Sequence, residues 1–272
     1  MNKGWIVFPR RRHPDVRLRL FCFPYGGGAA SVFRAWPDRF PPDVEICPVQ
    51  LPGRENRFAE PAFTHVTPLV EELAGIIRQH LDRPYALLGH SMGALAAFEL
   101  ARELRRRGEP APAGLVVSGR VAPQAQPADP AIHALDGEDF IKAAGELGGT
   151  PAAYLRDPKL KDYFVPLLKA DLAITETYAY GDEAPLDCPI DALCGTDDPR
   201  VSGGDMAAWR VQTTAGFSLA MLPGDHFFIN APRSGYVETV LRCLGRLGAD
   251  AAVADMPPVM TTAAERGSAA AD

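Results

Sequence analysis

The chain has 272 residues, of which 47% are hydrophobic and 23% are charged. This balance is typical of globular proteins and excludes a mostly disordered chain. The net charge of −6 argues against a protein that binds nucleic acid through bulk positive charge. No stretch is apolar and long enough for a transmembrane helix, so we expect no membrane association.

The cysteines and the N-terminus indicate a reducing compartment. The five cysteines are scattered and form no C-x-x-C pair, so we expect reduced, mostly buried thiols and no metal site. Residues 1–16 predict an irregular leader. Its basic residues 10–12 follow the short apolar stretch 5–8, which is the reverse of the order in a signal peptide. We therefore expect a cytoplasmic protein.

Short apolar segments alternate along the chain with segments of helical periodicity. The alternation predicts an α/β fold with a mostly parallel sheet flanked by helices. The predicted strands span residues 17–23, 44–49, 85–88, 114–118, 189–194 and 217–222, and the helices between and after them span 29–40, 68–81, 92–107 and 237–247.

A long stretch between the fourth and fifth predicted strands interrupts this alternation. Helix starts are predicted near Asp136 and at Asp157, where the aspartate caps the helix and Pro158 suits its first turn. Pro166 predicts the start of a third helix. Because long ordered insertions commonly cover a functional site, we predict a helical lid over about residues 123–184. A helical subdomain without a gating role is the alternative.

The domain organisation follows from these elements. We predict a single domain over residues 1–247, with the lid inserted in it. Residues 248–272 are rich in Ala, Asp, Pro and Thr without an apolar face, which predicts a flexible tail.

A G-x-S-x-G motif occupies residues 89–93, between a predicted strand and a predicted helix. Its glycines allow the strand and the helix to approach closely, and this pushes Ser91 into an exposed turn at the carboxyl end of the sheet. The adjoining helix N-terminus offers free N–H groups to developing negative charge. We therefore predict that Ser91 is a nucleophile; a structural turn is the alternative.

A serine nucleophile needs a general base. In folds with this motif the chain order is serine, acid, histidine. Only His133 and His226 follow Ser91 in the sequence. His133 lies in the predicted insertion, whereas His226 directly follows the strand predicted over 217–222. We predict His226 as the base.

The acid that orients the base is expected after the strand at 189–194. Asp198 precedes a proline, which disfavours helical geometry and favours a position at the loop crest. We therefore favour Asp198, and Asp197 remains the alternative. Asp225 is less favoured because it adjoins His226, and adjacent side chains diverge.

Acyl transfer also needs two N–H donors for the oxyanion. The N–H of Met92, directly after the nucleophile, is one predicted donor. The second is the N–H of Gly26, in the glycine-rich loop after the first strand. These glycines also permit a tight turn, and the two roles are compatible.

Several motifs carry a resemblance to one family. They are FPYGGGAASVF, LPGRENR, GHSMG, GTDDP and GDHFF, with PLLKADLAITETYAY in the predicted insertion. Over about residues 5–247 the chain resembles the type II thioesterases of polyketide and nonribosomal peptide biosynthesis, in the α/β-hydrolase superfamily. The resemblance implies hydrolysis of acyl groups from the phosphopantetheine thiol of carrier proteins, which clears misprimed or stalled synthases.

The resemblance also implies partners and cofactors. The expected partners are acyl or peptidyl carrier proteins, bound transiently by a monomer, and no cofactor is expected because the substrate carries the phosphopantetheine. The family loop commonly has histidine and alanine where Tyr25 and Gly26 stand, a departure that bears on acyl preference. The side chains expected to line the substrate site are Tyr25, Leu147, Tyr154, Leu155, Phe164 and Leu168.

Enzymes of other classes use the same serine, histidine and aspartate. They are a carboxylesterase or lipase acting on free esters, a medium-chain fatty acyl carrier thioesterase, and an acyltransferase or cyclising thioesterase. A hydrolase fold without activity, used for binding, is a further alternative. Four arginines between residues 102 and 107 suit a helix C-terminus, although such a patch would also suit an acidic carrier protein.

Overall fold

A computed structural model describes residues 4–8, 15–125, 131–149 and 157–247. Six strands of this part form one sheet, and every neighbouring pair is parallel, which confirms the α/β prediction. The strands are β1 (Leu18–Phe23), β2 (Val44–Pro48), β3 (Tyr85–His90), β4 (Gly114–Ser118), β5 (Ile190–Gly195) and β6 (Phe217–Leu222). Their order in the sheet is β2-β1-β3-β4-β5-β6.

Helices flank this sheet. They are α1 (Val66–Ile77), α2 (Met92–Arg106), α3 (Gly137–Leu147), α4 (Pro158–Glu176), α5 (Gly203–Ala207) and α6 (Tyr236–Gly245). Apolar residues of α1 and α2 pack with one face of the sheet, and those of α6 pack with the other. Since both faces are covered, the central strands are buried apolar runs.

The helix predicted over 29–40 is wrong in type. Two 3-10 helices, Ala30–Phe33 and Trp36–Asp38, occupy this stretch. Pro37 has no N–H to donate to the carbonyl four residues earlier, so a continuous α-helix would lose a hydrogen bond at this point.

The insertion between β4 and β5 contains α3 and α4. The side chain of Asp157 accepts hydrogen bonds from the N–H groups of Lys159 and Leu160, which confirms the predicted cap of α4. The prediction that Pro166 starts a separate helix is wrong, because α4 continues through it. A proline inside a helix costs about 3 kcal/mol. Pro166 is itself exposed, and the helix after it buries Leu167 and Leu168, which offsets that cost.

Several predictions concern residues outside the described part. They include two of the expected lining residues, Tyr154 and Leu155, and the tail at 248–272. Within the described ranges, no helix combines the length and the apolar character needed to cross a membrane.

Candidate active site

The turn between β3 and α2 holds Ser91 in a strained conformation. Ser91 has φ +54° and ψ −117°, a backbone conformation that residues other than glycine rarely adopt. A Cβ on Gly89 would lie 2.0 Å from the carbonyl oxygen of Gly93, and one on Gly93 would lie 2.3 Å from that of Phe23. Only glycine fits at either position, so the motif sets the turn that presents Ser91.

The structure brings Ser91, His226 and Asp198 together from three loops at the carboxyl ends of the strands. The His226 Nε2 lies 3.1 Å from the Ser91 Oγ, and the His226 Nδ1 lies 2.8 Å from the Asp198 Oδ2. The other candidate base, His133, lies instead in the insertion, where its Nδ1 is 2.6 Å from the Glu176 Oε2.

Asp198 is held as a carboxylate. Burial alone would raise its pKa, but the hydrogen bond from His226 and those from the N–H groups of Arg200 and Val201 outweigh burial and lower it. An ionised Asp198 accepts a hydrogen bond from the Nδ1–H of His226. The Nε2 of His226 is then free to accept a hydrogen bond from the Ser91 hydroxyl. Asp197 is exposed and does not contact the histidine within the described residues.

His90, which directly precedes the nucleophile, is fully buried and hydrogen-bonded at both ring nitrogens. Its Nε2 lies 2.8 Å from the carbonyl oxygen of His226, and its Nδ1 lies 2.8 Å from the Ser118 Oγ. A carbonyl only accepts, so the Nε2 carries the proton. Burial and the neighbouring His226 lower the pKa of His90 to about 3, so the ring stays neutral. Its contact with the His226 backbone was not anticipated from the sequence.

Gly26 and Met92 line the same cavity as Ser91 and His226. Met92 is the first residue of α2, so its N–H has no partner within the helix. In the glycine loop, the N–H of Gly28 donates to the Tyr25 carbonyl at 2.8 Å. The two residues predicted to supply the oxyanion donors therefore border the cavity that contains Ser91.

The cavity is bounded by this loop on one side and by α3 and α4 on the other. Of the expected lining residues, Tyr25, Leu147 and Leu168 line it. Phe164 packs instead beside the cavity, where its ring lies 3.0 Å from the position of a Cβ on Gly27.

Two arginines that the sequence analysis did not select also line the cavity. Arg120 follows β4 and Arg200 follows β5, so both lie at the carboxyl edge of the sheet. Burial, followed by the positive charge of Arg200, lowers the pKa of Arg120 to about 10. Arg120 follows β4, the neighbour of β3, and Arg200 follows β5, the next strand of the sheet; these positions were the available signal.

The arginine cluster at the end of α2 is paired within the chain. Arg102 is only 3% exposed, so it offers little surface to a partner. The ion pairs join Arg102 to Glu99 and Glu183, Arg105 and Arg106 to Glu183, and Arg106 and Arg107 to Glu103. This pairing favours a structural role over the docking of an acidic carrier. Within the described residues, no group of three or more His, Cys, Asp or Glu side chains is placed to hold a metal ion.

Comparison with known proteins agrees with this geometry. The thioesterase domain family model matches residues 18–247. The gramicidin S biosynthesis protein GrsT of Aneurinibacillus migulanus is 43% identical over 229 residues, which cover 84% of this chain and 90% of that protein.

Solved structures give the same result. The RedJ thioesterase from the prodiginine biosynthetic pathway of Streptomyces coelicolor is 42% identical, with a TM-score of 0.77 over 85% of this chain and 90% of that one. YbtT, a type II thioesterase from the yersiniabactin pathway, is 30% identical, with a TM-score of 0.79 over 90% of this chain and 100% of that one. The resemblance stated from the motifs is confirmed: the chain belongs to the thioesterase family, as a type II thioesterase with the α/β-hydrolase fold.

Proposed function

We propose that this thioesterase hydrolyses acyl groups from the phosphopantetheine thiol of acyl or peptidyl carrier proteins, and so clears misprimed or stalled polyketide and nonribosomal peptide synthases. The observation that carries the proposal is the Ser91–His226–Asp198 hydrogen-bond chain, in a chain similar over most of its length to GrsT and YbtT.

Ser91 acts as the nucleophile in this proposal. Its Oγ attacks the thioester carbonyl carbon while the His226 Nε2 takes the hydroxyl proton, and Asp198 stabilises the imidazolium. The N–H groups of Gly26 and Met92 stabilise the oxyanion of the tetrahedral intermediate. When the C–S bond breaks, the pantetheine sulfur takes the proton from His226, and the acyl group remains as an ester of Ser91.

Water completes the reaction. His226 takes a proton from water as the water oxygen attacks the acyl-serine ester, and it returns this proton to the Ser91 Oγ as the carboxylic acid leaves. The steps use only side chains and backbone amides of the chain, and the phosphopantetheine belongs to the substrate. We therefore propose no dissociable cofactor. The cytoplasmic location and the monomeric state stay predictions from the sequence.

We further propose that α3 and α4 form one wall of the acyl chamber. Leu147 of α3 and Leu168 of α4 line the cavity that contains Ser91, which supports this role. The lid boundaries at about 123–184 belong to the same proposal. A lid of this kind would admit the pantetheine arm with its acyl chain while the carrier protein stays outside.

Intact-protein mass spectrometry of carrier proteins loaded with different acyl groups tests the proposed function. We expect loss of the acyl mass with the wild-type enzyme and none with Ser91→Ala. Parallel assays with acyl-N-acetylcysteamine and p-nitrophenyl esters distinguish the alternatives. A strong preference for the free ester would indicate a carboxylesterase, and appearance of an ester or a macrocycle instead of the free acid would indicate acyl transfer.

A further inference from the structure

A buried ion pair joins α4 of the insertion to the loop that follows β2. Arg54 is 3% exposed and Asp171 is 1% exposed. The contact is bidentate, with 2.7 Å between the Arg54 Nη2 and the Asp171 Oδ1 and 2.8 Å between the Arg54 Nη1 and the Asp171 Oδ2. A buried pair with this geometry is directional and holds its two segments in register.

Both members of the pair also contact the glycine loop. The Asp171 Oδ2 accepts a hydrogen bond of 2.7 Å from the N–H of Gly27. The Arg54 Nη1 donates to the carbonyl oxygen of Gly28 at 2.9 Å. The Arg54–Asp171 pair therefore holds one N–H and one C=O of the segment that supplies the Gly26 donor.

These contacts determine which N–H of the loop remains available. The N–H of Gly27 is used by Asp171, and that of Gly28 is used by the Tyr25 carbonyl. Among the described residues the N–H of Gly26 has no acceptor, and Gly26 borders the cavity beside Ser91. Since Gly27 has φ +77°, the loop turns sharply there, and the orientation of the neighbouring peptide depends on what holds the turn.

The face of α4 that carries Asp171 packs against this loop. Phe164, Leu168 and Asp171 are spaced by four and three residues, so they lie on one side of the helix. A Cβ on Gly27 would lie 3.0 Å from the ring of Phe164 and 3.5 Å from the Leu168 Cδ1. The helix therefore packs directly on the loop, and Asp171 supplies its directional contact.

We infer that Asp171, with Arg54 as its counter-charge, is a positioning residue that orients the Gly26 N–H as an oxyanion donor; the inference rests on the proposed function. Arg54 offsets the negative charge of Asp171, which would otherwise oppose the negative charge that develops on the substrate oxygen nearby. The contribution arises in the tetrahedral states and not in the bound substrate.

Two matched double variants test this role. Single variants are unsuitable because either one leaves a buried charge without its partner. Arg54→Met with Asp171→Leu removes the ion pair and also the acceptor for the Gly27 N–H. Arg54→Gln with Asp171→Asn removes the same charges, but the amide oxygen at position 171 can still accept from Gly27.

The two variants are compared in the hydrolysis of an acyl-N-acetylcysteamine, below the melting temperature of the less stable one. We expect the Met/Leu variant to lose about 10- to 100-fold in kcat, a fraction of what removal of a whole oxyanion donor costs. We expect the Gln/Asn variant to stay within about 5-fold of wild type, because a side-chain oxygen that accepts from the Gly27 N–H remains at the same place. KM should change little in either.

Inhibitor binding supplies a readout that a purely structural role would not move. A trifluoromethyl ketone analogue forms an oxyanion on reaction with Ser91, and its Ki should rise in the Met/Leu variant in parallel with the loss of kcat. The Kd of a non-hydrolysable thioether analogue should stay at its wild-type value.

Equal losses in the two variants, or a parallel loss of thioether affinity, would overturn the positioning role. The inhibitor comparison does not depend on the natural substrate. If the wild-type enzyme failed to hydrolyse acyl carriers, the proposed function would fail, and the ratio of inhibitor affinities would still decide the role of Asp171.

Discussion

The turn at Ser91 and the insertion between β4 and β5 contribute to the same cavity in different ways. The turn depends mainly on neighbouring residues, because a Cβ on Gly89 would meet the backbone of Gly93; Gly93 in turn lies against the carbonyl of Phe23 in β1. The insertion acts over long distances in the sequence, as Asp171 contacts Gly27 from 144 residues away and Arg54 from 117 residues away. The nucleophile is therefore encoded in a few neighbouring residues, whereas the surrounding site depends on how distant segments pack.

The largest effect is expected from the locally specified turn. Ser91→Ala should lower kcat by about 10⁴-fold or more, because no other hydroxyl replaces the nucleophile. The melting temperature should be unchanged, since the half-buried Ser91 side chain borders the cavity and belongs to no apolar core. Turnover of an acyl carrier near the wild-type rate, in a folded variant, would refute the assignment of Ser91.

The next effect separates two adjacent aspartates. Asp198→Asn should lower kcat by about 10³- to 10⁴-fold, because an amide disfavours the Nδ1–H tautomer of His226. Asp197→Asn is the matched control and should stay within a few-fold of wild type, as Asp197 is exposed. The reverse order in steady-state assays would assign the acid to Asp197.

The buried histidine beneath the turn should make stability depend on pH. The pKa of His90 lies near 3 in the folded protein against 6.5 for the ordinary group. As pH falls below 6.5, the unfolded state therefore takes up a proton that the folded state excludes, and the free energy of unfolding decreases. The full stability is present above pH 6.5, and the loss extends down to about pH 3.

Urea unfolding between pH 6.5 and 5 measures this dependence. His90→Gln, which does not titrate, should reduce the slope of unfolding free energy against pH by about 1.4 kcal/mol per unit. The comparison of slopes removes any change in stability at neutral pH and any contribution from other groups. An unchanged slope would mean that His90 is protonated in the folded state.

The smallest effect is expected from the insertion, and it should depend on the substrate. Leu147→Trp narrows the cavity and should lower kcat/KM for long acyl chains by about 10-fold, since each methylene excluded from an apolar wall loses up to about 0.8 kcal/mol. Acetyl and propionyl substrates should be little affected. Leu160→Trp, on an exposed part of α4, is the control and should leave kcat/KM unchanged for both long and short acyl chains. A uniform loss over all chain lengths would argue against a chamber wall.

The sequence was sufficient where a local pattern has one structural solution. Alternating apolar runs predicted the six strands, and the strand–GHSMG–helix context predicted the turn at Ser91. Pro199 correctly favoured Asp198 over Asp197 for the contact with His226. The helix start predicted at Pro166 is wrong, because burial of the residues after it outweighs the local preference of proline for a helix break.

The sequence by itself determined the class of the fold and the family, and it predicted Ser91, His226 and Asp198, which the structure brings into contact. In a parallel sheet the loops that follow the strands lie at one edge, so the predicted fold class already places these three side chains there. Only the tertiary structure decided which residues surround them: Arg120 and Arg200 in the cavity, and Asp171 against Gly27 and Arg54. A charged side chain becomes part of such a site through partners brought by packing, and a single position in the sequence does not specify those partners.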